Sequence, residues 1–196
     1  MSQYDKLYET ITQALVDDGY AIINNAFENS LPSFLLTTAQ DKSLYKQAAI
    51  SQTTLVNTNK RSDKTKWIDA DDFAQSQYLQ IMQGLQNYLN HSLYLGLSYY
   101  ESHFALYEDG DFYERHLDSF KASKNRIVTT VYYLNKDWHK NDGGELIIYN
   151  KCNKQVQTVS PSSNTLVVFL SEEFPHEVLV SSKNRYSIAG WFRVDK

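Results

Sequence analysis

The stretch SYYESHFALYEDGDFYERHLD, residues 98–118, decides the fold, because the chain changes its period there. Upstream, Phe73, Gln77, Tyr78, Ile81, Met82, Leu85, Tyr88 and Leu89 recur at helical spacing and predict a long helix over 73–93 with one apolar stripe. From Ser98 onward the period falls to two, which predicts strands. The segments read this way are 98–107, 112–117, 126–134, 145–149, 155–159, 166–170, 176–180 and 186–194. EDGD at 108–111, DGG at 142–144 and SPSSN at 160–164 supply turns between them.

Working outward to the N-terminus, Tyr4, Leu7, Tyr8, Ile11 and Leu15 predict a first helix that stops at Asp18-Gly19. YAIINNAF (20–27) reads as a strand, and Ser30 with Pro32 opens a second helix through Phe34, Leu35 and Leu36. Polar residues dominate 51–65, which predicts an exposed loop. Helices first and about eight strands afterwards imply an α+β fold, a double-stranded β-helix (jelly-roll) barrel buttressed by N-terminal helices. The expected organisation is a single domain, 1–196, with 1–95 mainly helical buttress and substrate loop and 96–196 the jelly-roll core.

Bulk properties narrow the function. A net charge of −4 gives no basic footprint for nucleic acid. No apolar run reaches the length of a membrane span, and the acidic start MSQYDKLYETITQALVDD is no signal peptide. Cys152 is the single cysteine, so neither an internal disulfide nor a thiolate zinc cluster is available. A cytoplasmic location is the expectation, with no nucleic acid and no membrane as partners.

Four residues carry chemistry. His116 and Asp118 stand two apart, so on a strand their side chains share a face and can bind one ion. His176 opens a later strand and must come alongside when the barrel closes. Two imidazoles and one carboxylate leave open positions opposite them, the facial triad of non-haem Fe(II) oxygenases, although zinc is compatible with the same residue types. Arg185, nine positions after His176, supplies a planar fork for a carboxylate. Each residue alone reads as an ordinary solvated or structural side chain; their order, spacing and strand context together point to an Fe(II) enzyme using 2-oxoglutarate and O2. His91, His103 and His139 lack partners at ligand spacing and read as structural.

Several stretches then carry a resemblance. RSDKTKWI (61–68), YEDGDFYERHLD (107–118), RIVTTVYYLNKDW…NDGGELIIY (126–149) and HEVLVSSKNRYSIAGWF (176–192) resemble the oxygen-sensing prolyl hydroxylases of animals and their bacterial relatives. The resemblance implies Fe(2+) on His116, Asp118 and His176, and the distal carboxylate of 2-oxoglutarate on Arg185 with Tyr133. It places Tyr107 beside the iron-chelating end of the cosubstrate. Arg126, Trp191, Asp63 and Trp67 match positions that line the substrate entrance; the bland reading of Asp63 is a solvated pair with Lys64 or Lys66. L-ascorbate enters as a candidate reductant. Ala189 replaces a threonine beside the cosubstrate. The C-terminal helix and the zinc-finger region of the animal enzymes are expected to be absent.

The resulting expectation is a dioxygenase that hydroxylates a proline in a cytoplasmic protein, releasing succinate and CO2. By analogy with bacterial relatives, elongation factor Tu is a first candidate partner. The alternatives are the same chemistry on a free amino acid or another protein side chain, chosen by loops such as 51–65 and 120–125, and, further off, a non-catalytic metal-binding jelly-roll sensor.

Overall fold

The computed structural model describes residues 3–28, 30–48, 60–119 and 125–195. Its helices are α1 (Asp5–Asp17), α2 (Leu31–Gln40) and α3 (Phe73–Leu93). Its strands are β1 (Tyr20–Asn24), β2 (Lys46–Gln47), β3 (Lys64–Trp67), β4 (Tyr99–Tyr107), β5 (Tyr113–His116), β6 (Arg126–Tyr133), β7 (Leu146–Tyr149), β8 (Gln155–Val159), β9 (Thr165–Leu170), β10 (His176–Val178) and β11 (Arg185–Arg193). They form a large sheet in the order β1-β9-β6-β11-β4-β3-β2 and a small sheet in the order β5-β10-β7-β8. Every pairing is antiparallel, and the two sheets make the jelly roll that the alternation predicts.

Residue parity decides which side chains meet. In β4, β6, β9 and β11 the even-numbered Phe104, Leu106, Val128, Tyr132, Leu166, Val168, Ile188 and Phe192 pack with the helices. The odd-numbered Ala105, Tyr107, Val131, Tyr133, Val167 and Phe169 pack instead with Leu146, Ile148 and Val178 of the small sheet. Cross-strand register pairs odd with odd, as in Ser187 with Tyr133 and Arg185 with Tyr107, so these four strands keep one sorting; β1 inverts the parity, with Tyr20 opposite Phe169. Each fully buried Leu, Val or Phe on the helix side contributes about 1.5–3 kcal/mol by leaving water. The helices therefore hold the large sheet firmly from outside and leave its inner face free for chemistry.

Two segments depart from expectation. Residues 51–59 lie outside the described residues, but the exposed loop expected to extend to residue 65 is corrected at its end. Lys64 and Thr65 belong to β3, which pairs with β4, and Asp63 is fully buried. The polar letters KTKW conceal a strand because it lies one place from the sheet edge, and its lysine at the helix side has a partner. Lys66 buries its stem, and its Nζ donates to the carbonyls of Thr38 and Asp41 at 2.5 and 2.9 Å, at the end of α2. Ser30 does precede α2, with Pro32 in its first turn, but its side chain makes no cap.

Candidate active site

β10 lies between β5 and β7, and the register sets His176 directly opposite His116. Asp118 falls just past the end of β5, in a bend rather than on the strand, and still reaches both imidazoles. His116 Nε2 lies 3.7 Å from Asp118 Oδ1, and His176 Nε2 lies 3.6 Å from Asp118 Oδ2. One ligand atom from each residue falls within 4.8 Å of the others, so the three could hold a metal ion.

Local hydrogen bonds prepare both rings. His116 Nδ1 donates to the Glu114 carbonyl at 2.8 Å, and His176 Nδ1 donates to the Phe174 carbonyl at 3.0 Å. A carbonyl only accepts, so each Nδ1 carries a proton and Nε2 is the ring nitrogen left to face an ion. Burial, aided by His176, pushes the His116 pKa down to about 3. Burial works against charge on Asp118 as well, but His176 and His116 beside it outweigh this and hold its pKa at about 2. A neutral His116 imidazole and an ionised Asp118 carboxylate are forms that a divalent metal ion requires of its ligands. Thr129 Oγ1 donates to Asp118 Oδ2 at 2.9 Å and is itself bonded to Ser171 Oγ at 2.9 Å, which orients the carboxylate.

Arg185, at the start of β11, is 1 % exposed. Its Nε donates to the Gly144 carbonyl at 2.8 Å and its Nη1 to Ser187 Oγ at 3.3 Å. The guanidinium lies 4.8 Å from the Tyr107 ring and 5.0 Å from the Tyr133 ring. Gly143 and Gly144, both at positive φ, bring this carbonyl in: a Cβ on Gly143 would collide with the Val180 carbonyl, and one on Gly144 would come 3.0 Å from Arg185 Cδ. Among the described residues no carboxylate pairs with Arg185, and both its Nη2 and the Tyr133 hydroxyl are buried without partners. A buried charge left this way is costly, and two adjacent orphan donors suit one carboxylate.

The residues expected at a substrate entrance separate into two groups. Arg126 stacks 3.7 Å over the Trp191 ring and pairs with Glu101 at 3.0 Å, while Trp67 is exposed and lies edge-on to His103. Asp63 is different, because Arg61 clasps it through Nε and Nη2 at 2.7 and 2.6 Å. The solvated pairing with Lys64 or Lys66 is corrected: the partner is two residues earlier, and Arg61 also covers the Tyr113 ring at 4.4 Å.

The profile of the 2OG-Fe(II) oxygenase superfamily matches residues 102–193. A solved Pseudomonas putida prolyl-4-hydroxylase is 35% identical and superposes with a TM-score of 0.88, over 96% of this chain and 100% of that one. The chain belongs to the 2OG-Fe(II) oxygenase superfamily. A prolyl hydroxylase of Trichoplax adhaerens, solved with a hypoxia inducible factor peptide fragment, is 28% identical with a TM-score of 0.86, covering 96% of this chain and 89% of that one. Human Egl nine homolog 1 is 30% identical over 151 residues, 73% of this chain, and the chain spans about a third (35%) of that protein's length. The superfamily implies Fe(II), 2-oxoglutarate and O2. The donor set at His116, Asp118 and His176 and the orphan donors of Arg185 and Tyr133 fit the first two.

Some residues of this oxygenase site escape the sequence reading. Thr129 had a usable signal, since it shares parity with Val131 and Tyr133 on β6 and so faces inward. Arg61 had a weaker one in its spacing from Asp63. His103, read as structural, lies between the Trp67 and Trp191 rings.

Proposed function

We propose that this chain is a prolyl hydroxylase acting on a proline in a cytoplasmic protein, with a translation factor such as elongation factor Tu as the first substrate to try. The observation that carries the reading is Arg185: a fully buried guanidinium, with no carboxylate of the described residues beside it, set between the same two sheets as a two-histidine, one-aspartate cluster. That pair of features calls for a small dicarboxylate and a metal together.

In this reading His116 Nε2, His176 Nε2 and the Asp118 carboxylate hold Fe(II). Arg185 Nη2 and Tyr133 Oη hold the distal carboxylate of 2-oxoglutarate, with Tyr107 completing the wall. The bound metal and cosubstrate supply the oxidation: 2-oxoglutarate loses CO2 to become succinate, which takes one atom of O2, while the other enters a substrate C–H bond. Thr129 keeps the carboxylate turned toward the metal. The aromatic residues between the sheets exclude water from the reacting centre. Trp191 and Arg126 form the floor of the entrance and Trp67 its exposed rim; Asp63 acts from behind by fixing Arg61.

The test is succinate release by purified protein with Fe(II), with and without L-ascorbate, combined with mass spectrometry of the host proteome in the presence and absence of the protein. Proline residues that gain one oxygen only when the protein is present support the reading. Succinate release stimulated by a free amino acid, with no modified proline in any protein, would replace it with the free-amino-acid alternative. A metal-binding protein that releases no succinate under any condition would be a sensor.

A further inference from the structure

The inner face of the large sheet carries a polar group that the reading above leaves unused. His103 sits on β4 with Trp67 of β3 and Ala189 of β11 as its cross-strand neighbours. Its ring meets the Trp67 ring edge-on at 5.4 Å and tilts against the Trp191 ring at 5.3 Å. The residue is 7 % exposed, and its Nδ1 is buried without a hydrogen-bond partner. Trp67 on one side is 64 % exposed, whereas Trp191 on the other is 8 % exposed. The three rings thus lead from solvent onto the buried inner face of the large sheet.

A phenylalanine would fill this place without leaving a nitrogen unmatched, so packing alone does not account for histidine. Burial, with Arg61 and Arg126 adding to it, pushes the His103 pKa down to about 3, and the ring is neutral. A neutral imidazole offers one N–H and one lone pair. A peptide laid across Trp67 and Trp191 finds two indole faces for its apolar groups, but the Trp191 Nε1–H, also buried without a partner, can only donate and so serves a backbone C=O and not an N–H. His103 stands between those faces with a free ring nitrogen.

We propose that His103 is a positioning residue for the protein substrate, its Nδ1 hydrogen-bonding a main-chain peptide group beside the target residue. This rests on the reading of the chain as a hydroxylase of protein segments. His103→Phe keeps the stacked ring and removes the nitrogen; His103→Asn keeps a hydrogen-bonding atom near the position of Nδ1.

The experiment uses iron-loaded protein on an array of proline-centred peptides drawn from the host proteome. On the best wild-type substrate, His103→Phe should raise the peptide KM about tenfold, the scale of one hydrogen bond, while the 2-oxoglutarate KM changes less than about twofold. His103→Asn should recover part of the loss. Binding of a fluorescein-labelled copy of that peptide to metal-free protein should weaken by the same factor. An unchanged peptide KM in His103→Phe overturns the assignment, as does a rise confined to the 2-oxoglutarate KM, which would put the hydrogen bond on the cosubstrate. If His103→Phe does not fold, the ¹⁵N shift of Nδ1 in the wild type decides: it moves on adding the peptide, or the assignment fails. A wild type that hydroxylates no peptide while consuming 2-oxoglutarate defeats the prolyl reading first, and this inference with it.

Discussion

The metal cluster and the Arg185 pocket lie between the same two sheets but are built by opposite means. In the cluster each imidazole is fixed locally, through Nδ1 and the carbonyl two residues earlier, at Glu114 and Phe174. Its carboxylate is oriented by Thr129 and faces the Nε2 atoms of both imidazoles. The pocket is assembled mainly by register, with Arg185 opposite Tyr107 and Ser187 opposite Tyr133, and by the Gly144 carbonyl that accepts from Arg185 Nε. It is left with unmet donors on Arg185 and Tyr133. A site for an ion can thus be complete in its hydrogen bonds before the ion arrives. A site for an anion holds its binding energy as an unpaired charge.

Breaking the cluster should have the largest effect. His176→Ala or His116→Ala removes one of three ligands, and iron-dependent turnover should fall to background, with metal affinity measured in parallel by titration. Full turnover at stoichiometric iron would show that the metal lies elsewhere. In the pocket, Arg185→Lys keeps the charge but loses the fork, and 2-oxoglutarate affinity should fall about ten- to a hundredfold while metal affinity holds, since a hydrogen bond to a charged group is worth roughly 1.5–3 kcal/mol. Calorimetry on the metal-loaded, anaerobic protein separates the two. Unchanged 2-oxoglutarate affinity would mean that another residue anchors the cosubstrate.

Smaller changes sharpen the contrast. Thr129→Val leaves all three ligands but frees the Asp118 carboxylate to turn, and metal affinity should weaken about tenfold, as for other residues that orient a ligand from behind. Equal affinities would mean that the bend after β5 positions Asp118 unaided. Tyr133→Phe removes one donor from the pocket and should raise the 2-oxoglutarate Kd about tenfold, at the lower end of what a hydrogen bond to a charged group contributes. Its metal affinity should stay within error of the wild type; a fall there would show that cluster and pocket are coupled.

Much of this molecule was legible in its residues. The apolar stripe from Phe73 to Leu89 marks α3, which runs from Phe73 to Leu93. The alternation in RIVTTVYY marks β6 and also says which of its residues share a face. Local periodicity records both facts, because each is set by backbone geometry within a few residues. β3 was missed for the converse reason: a short strand near the edge, with a lysine whose partners are the carbonyls of Thr38 and Asp41, has no apolar pattern to reveal it.

The residue types of the site were also written in the chain: a His-x-Asp pair, a later histidine, an arginine nine positions on. Their meeting was expected from barrel closure, but no local pattern gave the strand pairing that brings it about. His176 reaches His116 because β10 pairs with β5, and Arg185 faces Tyr107 and Tyr133 because β11 lies between β4 and β6. The burial of Asp63 against Arg61 and the place of His103 between Trp67 and Trp191 were likewise decided by closure of the sheets. Register between strands tens of residues apart depends on which faces bury together across the whole fold, and no local pattern carries that information.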